Sequence, residues 1–173
     1  GLEEKTRQAQ GTHPAGLLRA MQYELLAKDI SFQAITEPFL RGLAVYIKVL
    51  NELENIREAK AGRKSEMLET MQLVQLETRE QLFKELEKSL FIELNRVLSE
   101  NLKATPPDLT YLKKFMAYIA DLQQRGEELP DKLFESNGLA TTVRLALRAN
   151  RKKLDPAFVQ EGLKLMTSRG KTC

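Results

Sequence analysis

From Arg63 to Thr105 the chain contains neither glycine nor proline, and apolar side chains recur there at helical spacing: Met67, Met71 and Val74, then Leu82, Leu86, Leu90, Leu94 and Val97. Glycine and proline are the residues that most weaken a helix. Their absence over such a length predicts a single helix of about 60 Å if unbroken at 1.5 Å per residue. A helix that long cannot bury its stripe against itself, so its partners must be other helices, of this chain or of another. The interruption at Glu77-Thr78-Arg79-Glu80-Gln81 leaves two alternatives: a kink, or one rod whose halves touch different partners.

The expected fold class is all-α: an elongated antiparallel helical bundle with a compact set of short C-terminal helices. No segment of useful length alternates with period two, so no sheet is expected. With 173 residues the chain is long enough for one domain with a real core. Tryptophan is absent and leucine abounds, which suits helix-on-helix packing. No apolar run approaches ~18 residues, so no membrane span or membrane partner is expected. Gly1 to Gly16 lacks the apolar stretch of a signal peptide, and the single cysteine, Cys173, has no internal disulfide partner. The expectation is an intracellular protein, cytoplasmic or nuclear.

The sequence divides into a polar arm over 1–16, a long-helix bundle over 17–104 and a short-helix subdomain over 105–173. In the bundle, Leu17, Leu18, Met21, Leu25 and Leu26 mark a first helix to about Lys28. A second has Pro38 in its first turn, Thr36 as cap, and a coiled-coil-like seam of Phe39, Leu43, Tyr46, Leu50 and Leu53. It ends at Ala61-Gly62, and Gly62-Arg63-Lys64-Ser65 links it to the long helix, with Ser65 as cap. Thr105-Pro106-Pro107 is a firm stop. After it, Pro107 opens a helix carrying Leu109, Leu112, Phe115, Met116, Ile119 and Leu122, closed by Gly126. Asp131 caps a short helix ended by Asn137-Gly138, and Leu139, Val143, Ala146 and Leu147 make another. Asp155-Pro156 begins a last helix with Phe158, Val159, Leu163 and Met166.

Net charge is +3, but its distribution is uneven. Ser65 to Glu100 holds eight acids and four bases, and Gly138 to Cys173 holds eight bases and two acids. Either the two segments complement one another inside the molecule, or the basic one faces an acidic partner. Arg144, Arg148, Arg151, Lys152 and Lys153 concentrate that charge. The three arginines are spaced four and three apart, and they share a face if the helix runs that far. Such a stripe would hold phosphates or an acidic peptide; the alternative is a solvated helix end whose cations favour the last carbonyls. No aromatic is interleaved, so a nucleic acid would be held by its backbone alone.

The inventory argues against catalysis. His13 is the only histidine and Cys173 the only cysteine, and there is no GxxxxGK[ST], GxGxxG or EF-hand loop. The two fall short of a four-ligand zinc site. Carboxylate chemistry at pairs such as Glu77 with Glu80 remains as an alternative; such pairs ordinarily decorate exposed helix faces. No cofactor is expected. Met21, Met67, Met71 and Met116 sit on apolar stripes and are expected in the core.

The run Leu133-Phe134-Glu135-Ser136-Asn137-Gly138-Leu139-Ala140-Thr141-Thr142-Val143, followed by the basic Arg144 to Lys153 segment and a helix with Leu163, resembles the small helical bundle at the N-terminus of TFIIS-type elongation factors and related integrase-binding-type domains. The resemblance spans Thr105 to Lys171 and leaves Leu17 to Leu102 unaccounted for. That family's closing aromatic is missing here, and the loop Gln123 to Pro130 is longer. The resemblance implies a nuclear transcription docking domain for disordered acidic-hydrophobic peptides.

The leading expectation is a non-catalytic helical protein–protein interaction or scaffold module of a larger assembly. Its partner would be another protein or a second copy of the chain. The alternatives are a binder of nucleic-acid backbone or acidic peptide, and an enzyme using carboxylates.

Overall fold

The computed structural model describes Ala20, residues 34–62 and residues 70–167. The polar arm, the first helix apart from Ala20 (which is helical), the link after Gly62 and the Ser65 cap lie outside the described residues. Among the described residues the chain is all-α, with five α-helices, one 3₁₀ turn and no strand. The helices are α1 (Pro38–Gly62), α2 (Thr70–Leu102), α3 (Thr110–Gln124), α4 (Leu139–Ala149) and α5 (Pro156–Thr167); the 3₁₀ turn is Asp131–Phe134. No described helix is long and apolar enough to cross a membrane. The chain forms two compact units whose division falls within α1 and α2. Of the described residues, the first unit holds Ala20, 34–36, 44–62 and 70–90, and the second holds 37–43 and 91–167.

In the first unit, α2 is helical without a break through Glu77 to Gln81, so the interruption in the stripe is not a kink. Lys60 Nζ lies 3.6 Å from Glu80 Oε1, and Tyr46 senses the charge of Glu87. Higher numbers on α1 therefore meet lower numbers on α2, which is antiparallel order. Burial on α1 is wider than a seam. Tyr46 and Leu50 are buried as expected, but so are Val45, Val49 and Ile56. A helix buried on more than one side is flanked on more than one side. Burial raises the Tyr46 pKa, and the nearby Glu87 carboxylate raises it further.

The start of α1 belongs to the second unit. Pro38 occupies the first helical position, where its missing N–H costs nothing. The cap is Glu37, not Thr36: the Leu40 N–H donates to Glu37 Oε2 at 2.8 Å. Glu37 immediately precedes Pro38 and so has the right reach to the third N–H, which Thr36 lacks. Glu37 also pairs with Lys114 at 3.5 Å, and Phe39 meets Tyr111 edge-on, with ring centroids 5.1 Å apart.

The rest of α2 buries Leu94 and Leu98; Val97 is only half-buried. The buried set Phe83, Leu86, Leu90, Leu94 and Leu98 is thus phased one residue away from Leu82 and Val97 at its two ends. After Leu102 the chain turns back, with the Asp108 N–H donating to the Asn101 carbonyl at 2.8 Å. Pro107 does not open α3. The helix begins at Thr110, whose N–H donates to Asp108 Oδ1 at 2.9 Å. Those hydrogen bonds from Thr110 hold the Asp108 carboxyl below its usual range.

Gly126 closes α3 at φ 77°, with Gly126 N–H to Gln123 O at 3.0 Å and Glu127 N–H to Leu122 O at 3.1 Å. That is the paired pattern in which a left-handed glycine satisfies the last carbonyls. The short helix after it is a 3₁₀ turn preceded by Pro130, so Asp131 lies inside it and is not its cap. Leu133 from this turn is fully buried with Leu139, Val143 and Leu147 of α4. Gly138 is required there: a Cβ would fall on the Leu133 carbonyl and 2.6 Å from that of Lys132. Gly162 lets α5 close on its neighbours, since a Cβ would sit 2.7 Å from both Leu147 Cδ1 and Met116 Cε. Pro156 starts α5, and the Asp155 carbonyl accepts the first helical bond, from Val159.

Candidate functional site

The five cations singled out from the sequence gather at the C-terminal end of α4. Arg144 and Arg148 are one turn apart on the helix, and Arg148 lies in its last turn. The helix stops at Ala149, so Arg151 does not continue their face. Asn150 stops it: its backbone N–H and its Nδ2 both donate to the Ala146 carbonyl, at 3.1 and 2.9 Å. A side chain that bonds back to the carbonyl four residues earlier shares it with the backbone N–H and disfavours continuing the helix. The chain then turns, with Arg151 N–H to Arg148 O at 3.4 Å and Lys153 N–H to Asn150 O at 2.9 Å. Arg151, Lys152 and Lys153 are therefore presented from a turn around a helix C-terminus, where the macrodipole favours positive charge.

Four of the five are exposed and Arg144 is half-buried. Among the described residues none of the five makes an ion pair, and the buried Arg144 Nε has no hydrogen-bond partner. The acids of α2 are engaged elsewhere where they are engaged at all. Glu80 takes Lys60 and Lys84, while Glu93 and Glu100 share Arg96. The Arg96 hydrogen bond, aided by its charge, holds the Glu93 carboxyl below its usual range.

An apolar component adjoins the cations. Thr142 Oγ1 lies 3.0 Å from Asn95 Oδ1, joining α4 to α2 within the second unit. One turn from Thr142 is Leu145, 57% exposed; one turn from Asn95 is Ile92, 56% exposed. Leu145 also lies three residues before Arg148, on adjoining parts of one helix surface. Both aliphatics stand outside the core stripes of their helices, and an aliphatic off its stripe was the sequence signal that would have found them.

The α2 end in the first unit carries a second exposed apolar pair, Met71 at 75% and Val74 at 54%. Met71 is thus not the core residue its stripe suggested. The antiparallel register explains it: Lys60 faces Glu80, and only two further described residues of α1 follow, so Thr70 to Thr78 has no α1 turn opposite. Among the described residues no three His, Cys, Asp or Glu side chains come together as a metal site. His13 and Cys173 lie outside the described residues. No family model, curated protein or solved structure matches the chain.

Proposed function

We propose that the chain is a non-catalytic helical interaction module that engages an acidic protein partner through Arg144, Arg148, Arg151, Lys152 and Lys153. The observation that carries this is the set of five cations around the end of α4 without an ion pair among the described residues. Internal neutralisation by α2 was the competing explanation, and no described acid of that helix reaches them. Exposed Leu145 beside Arg148 favours a protein over a nucleic-acid backbone, because a phosphate chain gains nothing from an aliphatic contact.

The test is capture from cell extract by the intact chain and by an Arg148→Glu/Lys152→Glu variant, with and without nuclease. The expected result is a protein retained by the intact chain, resistant to nuclease and lost with the variant and at high salt. Retention that vanishes with nuclease would point to the nucleic-acid backbone. Equal retention by chain and variant would move the binding surface away from these residues.

A further inference from the structure

Asn137 and Gly138 join the 3₁₀ turn to α4, and the two differ in exposure: Asn137 is exposed and Gly138 is buried. Of the six asparagines in the chain, Asn137 alone precedes a glycine. Asn51, Asn55, Asn95 and Asn101 lie within helices, and Asn150 is followed by arginine. An asparagine is chemically labile because the next backbone nitrogen can attack its carboxamide, and a glycine offers that nitrogen with no side chain in the way. In the folded chain this nitrogen is held. The Gly138 N–H donates to the Glu135 carbonyl at 2.8 Å, and the same carbonyl accepts the Thr141 hydroxyl of α4 at 2.7 Å. Both bonds must loosen before the nitrogen can turn toward Asn137 Cγ.

We propose that Asn137 is a site of spontaneous deamidation which the turn before α4 keeps closed, and that reaction there unseats the start of α4. In the step, the Gly138 nitrogen gives up its proton and attacks Asn137 Cγ. The N–Cγ bond forms, the Cγ–Nδ2 bond breaks, and the amide nitrogen leaves as ammonia with the proton that Gly138 lost. Water then opens the succinimide at one of its two carbonyls, and nothing is oxidised or reduced. One opening leaves an aspartate at position 137. The other leaves an isoaspartate, whose backbone runs through Cβ and Cγ and is longer by a methylene. That length cannot be absorbed here. Gly138 sits where even a Cβ would fall on the Leu133 carbonyl and 2.6 Å from that of Lys132. A chain lengthened just before it cannot restore both this close approach and the bond to Glu135, and α4 loses its seat on the 3₁₀ turn. The sequence of events is therefore one-way: the turn opens, the ring closes while it is open, and the isoaspartate prevents the turn from reforming.

Incubation of the full chain in mildly alkaline buffer, folded and in urea, tests this. Trypsin cutting after Lys132 and Arg144 releases residues 133–144, in which Asn137 is the only asparagine. Mass spectrometry follows its conversion, and chromatography separates the two products. In urea Asn137 is expected to convert faster than the other five asparagines. In the folded chain it is expected to convert about tenfold more slowly than in urea, because the reaction follows the opened fraction. Thr141→Val, which unties the Glu135 carbonyl from α4, is expected to raise the folded rate about fivefold. Circular dichroism checks that this variant is helical; if it is not, the parent in sub-denaturing urea replaces it. The isoaspartate form, isolated by ion exchange, is expected to exchange the amide hydrogens of α4 faster than the parent. Asn137→Asp, which adds the charge without the methylene, is expected to exchange them like the parent. Asn137 converting no faster in urea than the other asparagines overturns the site. Equal rates folded and in urea, or no gain on loosening the turn, overturn its protection by the fold. An isoaspartate form that exchanges like the parent, or Asn137→Asp exchanging as fast as the isoaspartate form, overturns the unseating of α4 by backbone length.

Discussion

In the unit built on α1 and α2, side chains meet along lengths of regular helix; in the unit that contains α3 to α5, backbone comes against backbone and side chain at Gly138 and Gly162. The first arrangement tolerates variation in register, and α2 accordingly extends past α1 with Met71 and Val74 in solvent. The second fixes each element by a local device. Examples are the left-handed Gly126 after α3, the Thr141 hydroxyl donating to the Glu135 carbonyl at 2.7 Å, and Asn150 ending α4. Long helices obtain stability from summed contacts. Short ones, which are marginal alone, depend on caps and on a few close approaches.

The largest effects should separate the two units by the kind of change each resists. Leu50→Ala removes a buried side chain from α1 and should cost on the order of 2–5 kcal/mol, measured by denaturant unfolding. If Leu50→Ala melted like the parent, the α1 side chains would not be acting as core. In the second unit, Gly138→Ala should cost about 3 kcal/mol, because backbone carbonyls stand where the Cβ must go. Gly162→Ala should cost less, about 1 kcal/mol, since the obstructing atoms are the mobile tips of Leu147 and Met116. The reverse order would mean that the α4–α5 contact, not the turn before α4, holds that unit together.

Replacing Gly126 with Ala tests a cap without touching the core. At φ 77° the penalty is steric and local, on the order of 1 kcal/mol, and a Cβ there meets nothing within 4 Å. Tyr46 sharpens the comparison from the other side. Its folded pKa is raised by burial and by Glu87, so it stabilises the fold fully below the unfolded pKa of about 10, and that contribution is lost as pH rises toward the folded value. An alkaline ultraviolet titration, compared with that of a Tyr46→Phe variant, should show Tyr46 withheld until the chain unfolds. Ionisation of Tyr46 near its ordinary value in a chain still helical would show the α1–α2 interior open to solvent.

The smallest effect belongs to the exposed α2 surface. Glu93 should titrate below 4.5 by NMR because Arg96 hydrogen-bonds its ionised form. A lowered pKa gives stability that is present above the unfolded value and lost as pH falls through the folded one. At so exposed a site Arg96→Ala should remove the shift while leaving thermal unfolding close to that of the parent.

The class of fold and most element boundaries were legible along the chain, because they depend on local chemistry. The proline-free, glycine-free stretch made α2, Pro38 and Pro156 set helix starts, and Gly126 closed α3, all without reference to distant residues. The same local rules pointed to Leu43, Leu50, Leu86 and Leu94, which are buried, and to the five cations near the end of α4. Where local choices were close, the structure decided. Glu37 replaced Thr36 as cap through the reach of its carboxylate, and Thr110 rather than Pro107 began α3 once Asp108 could accept its N–H. Asn150 ended α4 before Arg151 could join its face. Only tertiary structure could decide which stretches of an apolar stripe find a partner. Periodicity places Met71 and Leu86 on similar stripes, and the antiparallel register with α1 buries one and leaves the other in solvent. That register is set by pairs of residues far apart in sequence, such as Lys60 with Glu80, and no window along the chain contains both the stripe and what lies across from it.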